Sequence, residues 1–260
     1  MFEKKSVVIT GLVLAGLILV SLSLLNRESL SKREPPETDN LFTLGEYYFN
    51  HGTHADGTYD IKLARHYYEQ ALVDNPLGDN WAWYQLGRID FLEGKFDAAI
   101  SKFNKQIEHF GAQQPSVYYM LGLTYGYRAR REGRESDWTR ATEYFSQYLE
   151  HDPDSPWARV DMAWTYFAQG RFEEMKPILE EGLAIHAENP WLLNMYGLAL
   201  LNTGHVEEAR TEFAAAATAA EKLTAEDWGR SYPGNDPTAW SDGLQEFKAA
   251  IQANLVLSEQ

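Results

Sequence analysis

From residue 40 to residue 222 apolar positions recur at spacings of three and four, broken by short polar stretches that contain glycine. The run WAWYQLGRIDFLEGKFDAAISKF, residues 81–103, shows the pattern. Trp83, Leu86, Gly87 and Asp90 fall on one side of a helix. Gly94 follows, a residue able to take the left-handed conformation that ends helices. Ala99, Phe103 and Ile107 are then four apart on a second helix. Two helices so patterned pack as an antiparallel pair, the small residues allowing approach and the large ones filling the gap. One such pair cannot bury its apolar stripe alone, so pairs must stack.

The pattern repeats. Its Leu-Gly pair occurs as Leu44-Gly45, Leu86-Gly87 and Leu121-Gly122, with Met162-Ala163 and Tyr196-Gly197 as looser copies. The second residues of these pairs are 42, 35, 41 and 34 apart, the range of small-unit repeat arrays. A small residue and an aromatic or Leu four later follow each pair: Ala64/Tyr68, Ala99/Phe103, Ala141/Phe145, Met175/Leu179 and Ala209/Phe213. The distance from the pair to that position is 12 residues in units two, four and five. It is 19 in units one and three, which therefore each carry seven extra residues.

The array resembles the tetratricopeptide repeat, whose signature is Trp-x2-Leu-Gly-x2-Tyr, then Ala-x3-Phe, then Pro. Unit two matches with Trp83, Leu86, Gly87, Ala99 and Phe103, and unit three with Leu121, Gly122, Tyr125, Ala141, Phe145 and Pro153. Unit one matches with Leu44, Gly45, Tyr48, Ala64, Tyr68 and Pro76. The insertions in units one and three resemble Sel1-like repeats. Asp90 departs from the pattern, standing where it has Tyr. A carboxylate facing the repeat core needs a partner, a Tyr hydroxyl or an Arg of the first unit. The expected fold is all-α: an α-solenoid of about five such hairpins over residues 41–222, a loop over 223–237 and a capping helix over 238–257. More than half of residues 40–257 should be helical.

The first helix of each unit has a second apolar face. In unit four, at about 100° per residue, Trp157, Trp164 and Phe167 point away from the side that packs within the repeat. The same offsets hold Trp81, Tyr84 and Phe91 in unit two, and Tyr119 and Tyr127 in unit three. They hold Trp191 and Leu198 in unit five, and Phe42 and Phe49 in unit one. A helix apolar all round is buried on both sides or binds something. The resemblance implies that this face lines a concave groove where peptides bind. Within that groove only Arg88 and Asn194 are of the kind that reads a C-terminal carboxylate, which argues against acidic C-terminal tails as ligands. The chain could also fill the groove itself, through Trp228, Tyr232 and Trp240 beside the last loop.

The N-terminus is a different object. Residues 6–25 run about 20 residues without a charge, enough to cross a hydrocarbon core of ~30 Å. Residues 1–5 form a short tail containing Lys4 and Lys5, and 26–40 a polar linker with Pro35-Pro36. An uncleaved single transmembrane helix and a cleaved secretory signal compete; Ser21-Leu22-Ser23 is a small-x-small site. The anchor is preferred because the apolar run continues past that site. A short basic start ahead of the first apolar segment stays inside, which exports the repeats to the periplasm or cell surface.

Charge and composition narrow the partners. Past residue 34 the chain carries 18 basic and 35 acidic side chains, a net −17. Such a domain is repelled by phosphate backbones, so nucleic acid is excluded as a partner. There is no Cys, hence no thiolate chemistry and no disulfide. No phosphate-binding glycine loop, Gly-x-Ser-x-Gly or His-Glu-x-x-His occurs, and neither an enzyme nor a cofactor is expected. His51, His54, Asp56 and Asp60 lie close together in the first insertion but fit no metal motif and read as a solvated loop. Arg128, Arg130, Arg131 and Arg134 cluster in the second insertion. They read as solubilising charge on a hairpin lengthened by about two turns, or as a basic knob for docking. The functional expectation is a membrane-tethered scaffold or assembly factor that holds a protein or peptide partner. Glycan binding and a homo-oligomer with self-filled grooves are the alternatives.

Overall fold

The structure is a computed structural model and describes residues 35–49, 59–75, 81–111, 114–232 and 235–259. Residues 1–5, the apolar run 6–25 and the linker up to residue 34 lie outside these, as do His51, His54 and Asp56. Among the described residues no helix is long and apolar enough to cross a membrane.

Twelve α-helices and no strand are found among the described residues. The first ten form five successive hairpins. These are α1 (Leu41–Phe49) with α2 (Ile61–Asp74), α3 (Ala82–Leu92) with α4 (Phe96–Phe110), and α5 (Ser116–Glu132) with α6 (Glu135–His151). The fourth is α7 (Pro156–Ala168) with α8 (Phe172–Ile185), and the fifth α9 (Pro190–Asn202) with α10 (Val206–Ala220). Then come α11 (Ala225–Ser231), a 3-10 turn at Pro237–Ala239, and α12 (Trp240–Leu257). The described residues divide into two compact units. One holds 35–153 together with Thr224–Gly243; the other holds Asp154–Leu223 together with 244–259.

Each hairpin closes on one contact. A Cβ placed on Gly45, Gly87 or Gly197 would lie 2.5 Å from the ring of Tyr68, Phe103 or Phe213, and one on Gly122 would lie 2.7 Å from Phe145. The glycine is there because the ring of the second helix rests on the backbone of the first. Unit four keeps the volume by another division: Ala163 replaces the glycine and Leu179 the aromatic, and both are fully buried. Gly87→Ala should therefore cost about 1–3 kcal/mol by overpacking. Adding Phe103→Leu, which reproduces the fourth hairpin's pair, should recover part of that loss in urea unfolding.

Asp90 is buried and finds one partner across the repeat boundary and one within its own hairpin. Arg65 of α2 donates through Nη2 to its Oδ1 at 2.8 Å and also to Glu93, while Lys102 of α4 binds the other oxygen. The substitution of Tyr by Asp in the repeat pattern is thus matched by an Arg of the first hairpin.

The extra residues of unit three lengthen both helices of its hairpin to 17 residues, against 11 and 15 in the second hairpin. The added turns reach back onto the second hairpin. Arg131 donates to the Gly94 carbonyl at 2.5 Å and stacks its guanidinium 4.1 Å from the Phe96 ring. Arg128 is buried and holds Asp137 with two parallel bonds of 2.7 and 3.0 Å, with a third bond to Asp97.

Helix starts follow local chemistry. Asp60 caps α2, accepting from the amides of Lys62 and Leu63. Asn189 before Pro190 caps α9, and Thr224 with Asp227 forms a capping box on α11. This box, T-x-x-D, is what makes a helix of seven residues inside the segment expected to be a loop. It is too short to show periodicity. In the second unit, α12 meets both helices of the fifth hairpin. Phe247 stacks on Trp191, Asn254 bonds Asn194, Lys248 pairs with Glu221 and Arg210 donates to the Ser258 carbonyl. These pairs set it parallel to α9 and antiparallel to α10, where a sixth repeat's first helix would lie.

Candidate functional site

The candidate surface is the second face of the first helices, and it differs between the two units.

In the unit containing residues 35–153, α1, α3 and α5 present aromatic rings that remain half-buried: Phe42, Trp81, Tyr84, Phe91, Tyr119 and Tyr127. Each is braced by a neighbour. Phe42 leans on Tyr68 with centroids 5.5 Å apart, and Trp81 meets Tyr84 edge-on at 4.8 Å. Phe91 meets Tyr127 edge-on at 5.3 Å, and Tyr119 rests on Phe145 and Tyr148. Phe49 is buried, covered by the Arg88 guanidinium 4.7 Å above its ring. A polar chain runs between these rings. The Tyr68 hydroxyl and the Gln85 amide both donate to Glu46 Oε1, at 2.7 and 2.5 Å, and Arg88 Nη1 donates to Gln85 Oε1 at 2.8 Å. Burial pushes the Tyr68 phenol far above the ordinary tyrosine range, and the Glu46 carboxylate pushes it further. The sequence pattern marked the aromatics and Arg88 but passed over Glu46 and Gln85. Their signal was available: both fall on the same helix faces as the rings.

The face thus combines flat apolar rings with one cation, Arg88, buried among them. Such an arrangement can stack planar or apolar groups. Tyr59, packed 6.4 Å from Phe49, belongs to the same place. Burial raises its phenol, Asp236 raises it further, and Arg88 draws it down. Asp236 comes from the segment Thr224–Gly243, which is part of this compact unit.

In the other unit the expected wall is largely covered by the chain itself. Trp164, at 2% exposure, and Leu198 are interior side chains. Trp191 is buried between Trp157, which meets it edge-on at 4.9 Å, and Phe247 of α12, which stacks on it at 4.8 Å. Trp157 and Phe167 stay half-buried, Phe167 against Phe172. The correction has a simple cause. A helical wheel separates the face packed within a repeat from the rest, but the rest includes the flank on which the neighbouring first helix or a cap packs.

The arginine cluster divides likewise. Arg128 is in an interior ion pair, and Arg131 and Arg134 are engaged with Gly94, Phe96, Glu132 and Asp97, while Arg130 is exposed near the end of α5. A four-arginine docking knob is therefore not present. Among the described residues no group of three or more His, Cys, Asp or Glu side chains is placed to hold a metal ion.

Comparison with known proteins follows the same lines. Two family models described as tetratricopeptide repeat match the chain, one over residues 134–174, the other over 49–115 and 160–239. A curated relative, the Photosystem I assembly protein Ycf3 of Rippkaea orientalis (strain PCC 8801 / RF-1), is 27% identical over 108 residues. That match covers 39% of this chain and 62% of the relative's length. Among solved structures, a thermophilic TPR protein of Thermus thermophilus aligns over 80% of this chain and 99% of its own, with TM-score 0.56 and 18% identity. The MamA crystal structure aligns over 63% and 90%, with TM-score 0.53 and 20% identity. At these identities the structural likeness speaks of fold.

Proposed function

The chain belongs to the tetratricopeptide repeat family, and on that premise we propose that it is a protein-binding scaffold that helps assemble or hold a complex. The observation that carries this reading is the aromatic face of α1, α3 and α5 with Arg88 at its centre. Trp, Tyr and Arg are the side chains that dominate binding energy at protein interfaces. The assembly role in the name of the curated relative supports the same reading. The scaffold acts by presenting surface, without chemistry of its own. Residues 6–25 tether it to a membrane and the repeats face the extracytoplasmic side, a reading supported by the uncharged run behind Lys4 and Lys5.

The test is crosslinking in intact cells followed by purification of the full chain, native and Trp81→Ala. Trp81 precedes the first turn of α3, is half-buried and makes no side-chain cap. Its removal should cost about 2 kcal/mol of binding, roughly 30-fold in affinity. The helical signal on heating should change little. Undiminished partner recovery with Trp81→Ala would sink the face as the binding site. Recovery of the chain in the soluble fraction after carbonate washing would sink the tether.

A further inference from the structure

We propose that the leading face of the first hairpin, formed by Leu44, Tyr47 and Tyr48 of α1 with Leu63 and Tyr67 of α2, lies in the headgroup layer of the membrane that residues 6–25 enter. Lipid then holds the place that a preceding repeat would hold. The inference rests on the tether reading above and gives the folded part of the chain its own contact with the bilayer.

The repeat register is the first support. On α3 the residue before the pair's glycine and the second residue after it are Leu86 and Ile89. They close onto the first hairpin, in one cluster with Phe49, Ala64 and Tyr68, and are almost wholly buried. Leu121 and Thr124 hold the same places on α5 and are fully buried. On α1 these places fall to Leu44 and Tyr47, which stay half-buried. Tyr48 lies beside them, its ring edge-on to Tyr47 at 5.0 Å and stacked on Tyr67 at 5.7 Å. Leu63, one turn before Tyr67, is exposed. A solenoid end needs a polar outer face to stay in water. At the C-terminal end the exposed side of α12 supplies one, with Gln245, Glu246 and Gln252 and a single large apolar residue, Val256. The first hairpin shows rings and leucines instead.

The chemistry of the face selects its occupant. Tyrosine is enriched where a bilayer meets water, because the ring is apolar and the hydroxyl bonds to headgroups. The Tyr48 and Tyr67 rings lie against each other, and neither hydroxyl makes a hydrogen bond among the described residues. The point of attachment agrees. Asn40 caps α1, accepting from the Thr43 amide at 3.0 Å, so the linker 26–40 runs directly into this hairpin. Fully extended, that linker reaches roughly 50 Å at most. Two other occupants fit poorly. Residues 26–34 carry one apolar side chain, Leu30, too little to cover five. A second copy would bury on the order of a few hundred Å² on this face, against about 800 Å² per partner in a stable interface.

The probe is the full chain in phosphatidylcholine vesicles doped with lipid that bears a nitroxide on its headgroup. A zwitterionic lipid is chosen because the −17 charge past residue 34 is repelled by an anionic surface. The chain has no Cys, so Leu63→Cys gives a single site for an environment-sensitive fluorophore. Val73→Cys, on the same helix and more exposed, measures the quenching due to proximity alone. The label at position 63 should be quenched about twofold or more beyond that at 73, as expected of a group in the interfacial layer. Adding Tyr67→Glu should abolish the difference, with the helical signal and flotation with vesicles unchanged, whereas Tyr67→Trp should preserve it. Equal quenching at 63 and 73 in a chain that floats with the vesicles overturns the inference and leaves the tether standing. A difference that survives Tyr67→Glu overturns it too. A label at 63 shielded from iodide but not quenched by the lipid gives the face to protein, as does energy transfer between labelled copies, and either result overturns it. A chain that fails to float sinks the tether and this contact with it.

Discussion

Trp164→Ala should lower stability by about 3–5 kcal/mol, the cost of emptying the space of a large ring in a packed interior. The side chain is the largest of those fully buried among the described residues. Trp157→Ala, on the same helix, should cost clearly less, because Trp157 keeps part of its surface in water and touches Trp191 with one edge. Urea unfolding followed by circular dichroism distinguishes them. Equal midpoints for the two variants would mean that Trp164 is not interior. The contrast matters for function, because the periodicity places both tryptophans on one binding wall. Partner binding in the Trp164 variant should fall only in step with its folding.

Arg128→Ala should cost a comparable amount by a different mechanism. It leaves the Asp137 carboxylate buried and without its bidentate partner, which costs about 3–5 kcal/mol. Asp97, the third partner, is exposed and returns to water. The double replacement Arg128→Met with Asp137→Leu removes both charges and keeps apolar volume, and should recover most of the loss. If the double variant is no more stable than Arg128→Ala, the loss comes from the missing contacts of the added turns with the second hairpin, not from a stranded charge. The measurement is again the midpoint of urea unfolding, with the helical signal confirming the native fold.

The repeat was legible because its rule is local. Gly45, Gly87, Gly122 and Gly197, each followed at fixed distance by a ring, encode a contact between two helices that adjoin in the chain. Spacing along the sequence is then close to distance in space. The looser fourth unit was legible for the same reason, once Ala163 and Leu179 are seen to share the volume differently. Asp90 broke the pattern and so announced that it needed a partner, although nothing local said that Arg65 and Lys102 would both supply it.

What one helix could not tell was the fate of its second face. That depends on elements far away in the sequence. Phe247 on Trp191 and Asn254 on Asn194 bring α12 onto α9, and no period relates these positions. The Arg128–Asp137 pair took one arginine of an apparent surface cluster into the interior, because the lengthened hairpin folds it inward. The capping box at Thr224 was written in the sequence, yet the helix it starts is stabilised by Trp240 on Gly229, a contact across a turn. The sequence alone determined the hairpins, their number and the small-against-large contact that closes each, since these arise from neighbours within one repeat. Only the tertiary structure decided which aromatics of that face stay half-buried and which become interior. Burial of a side chain is settled by whatever packs over it, and here the covering elements come from the end of the chain.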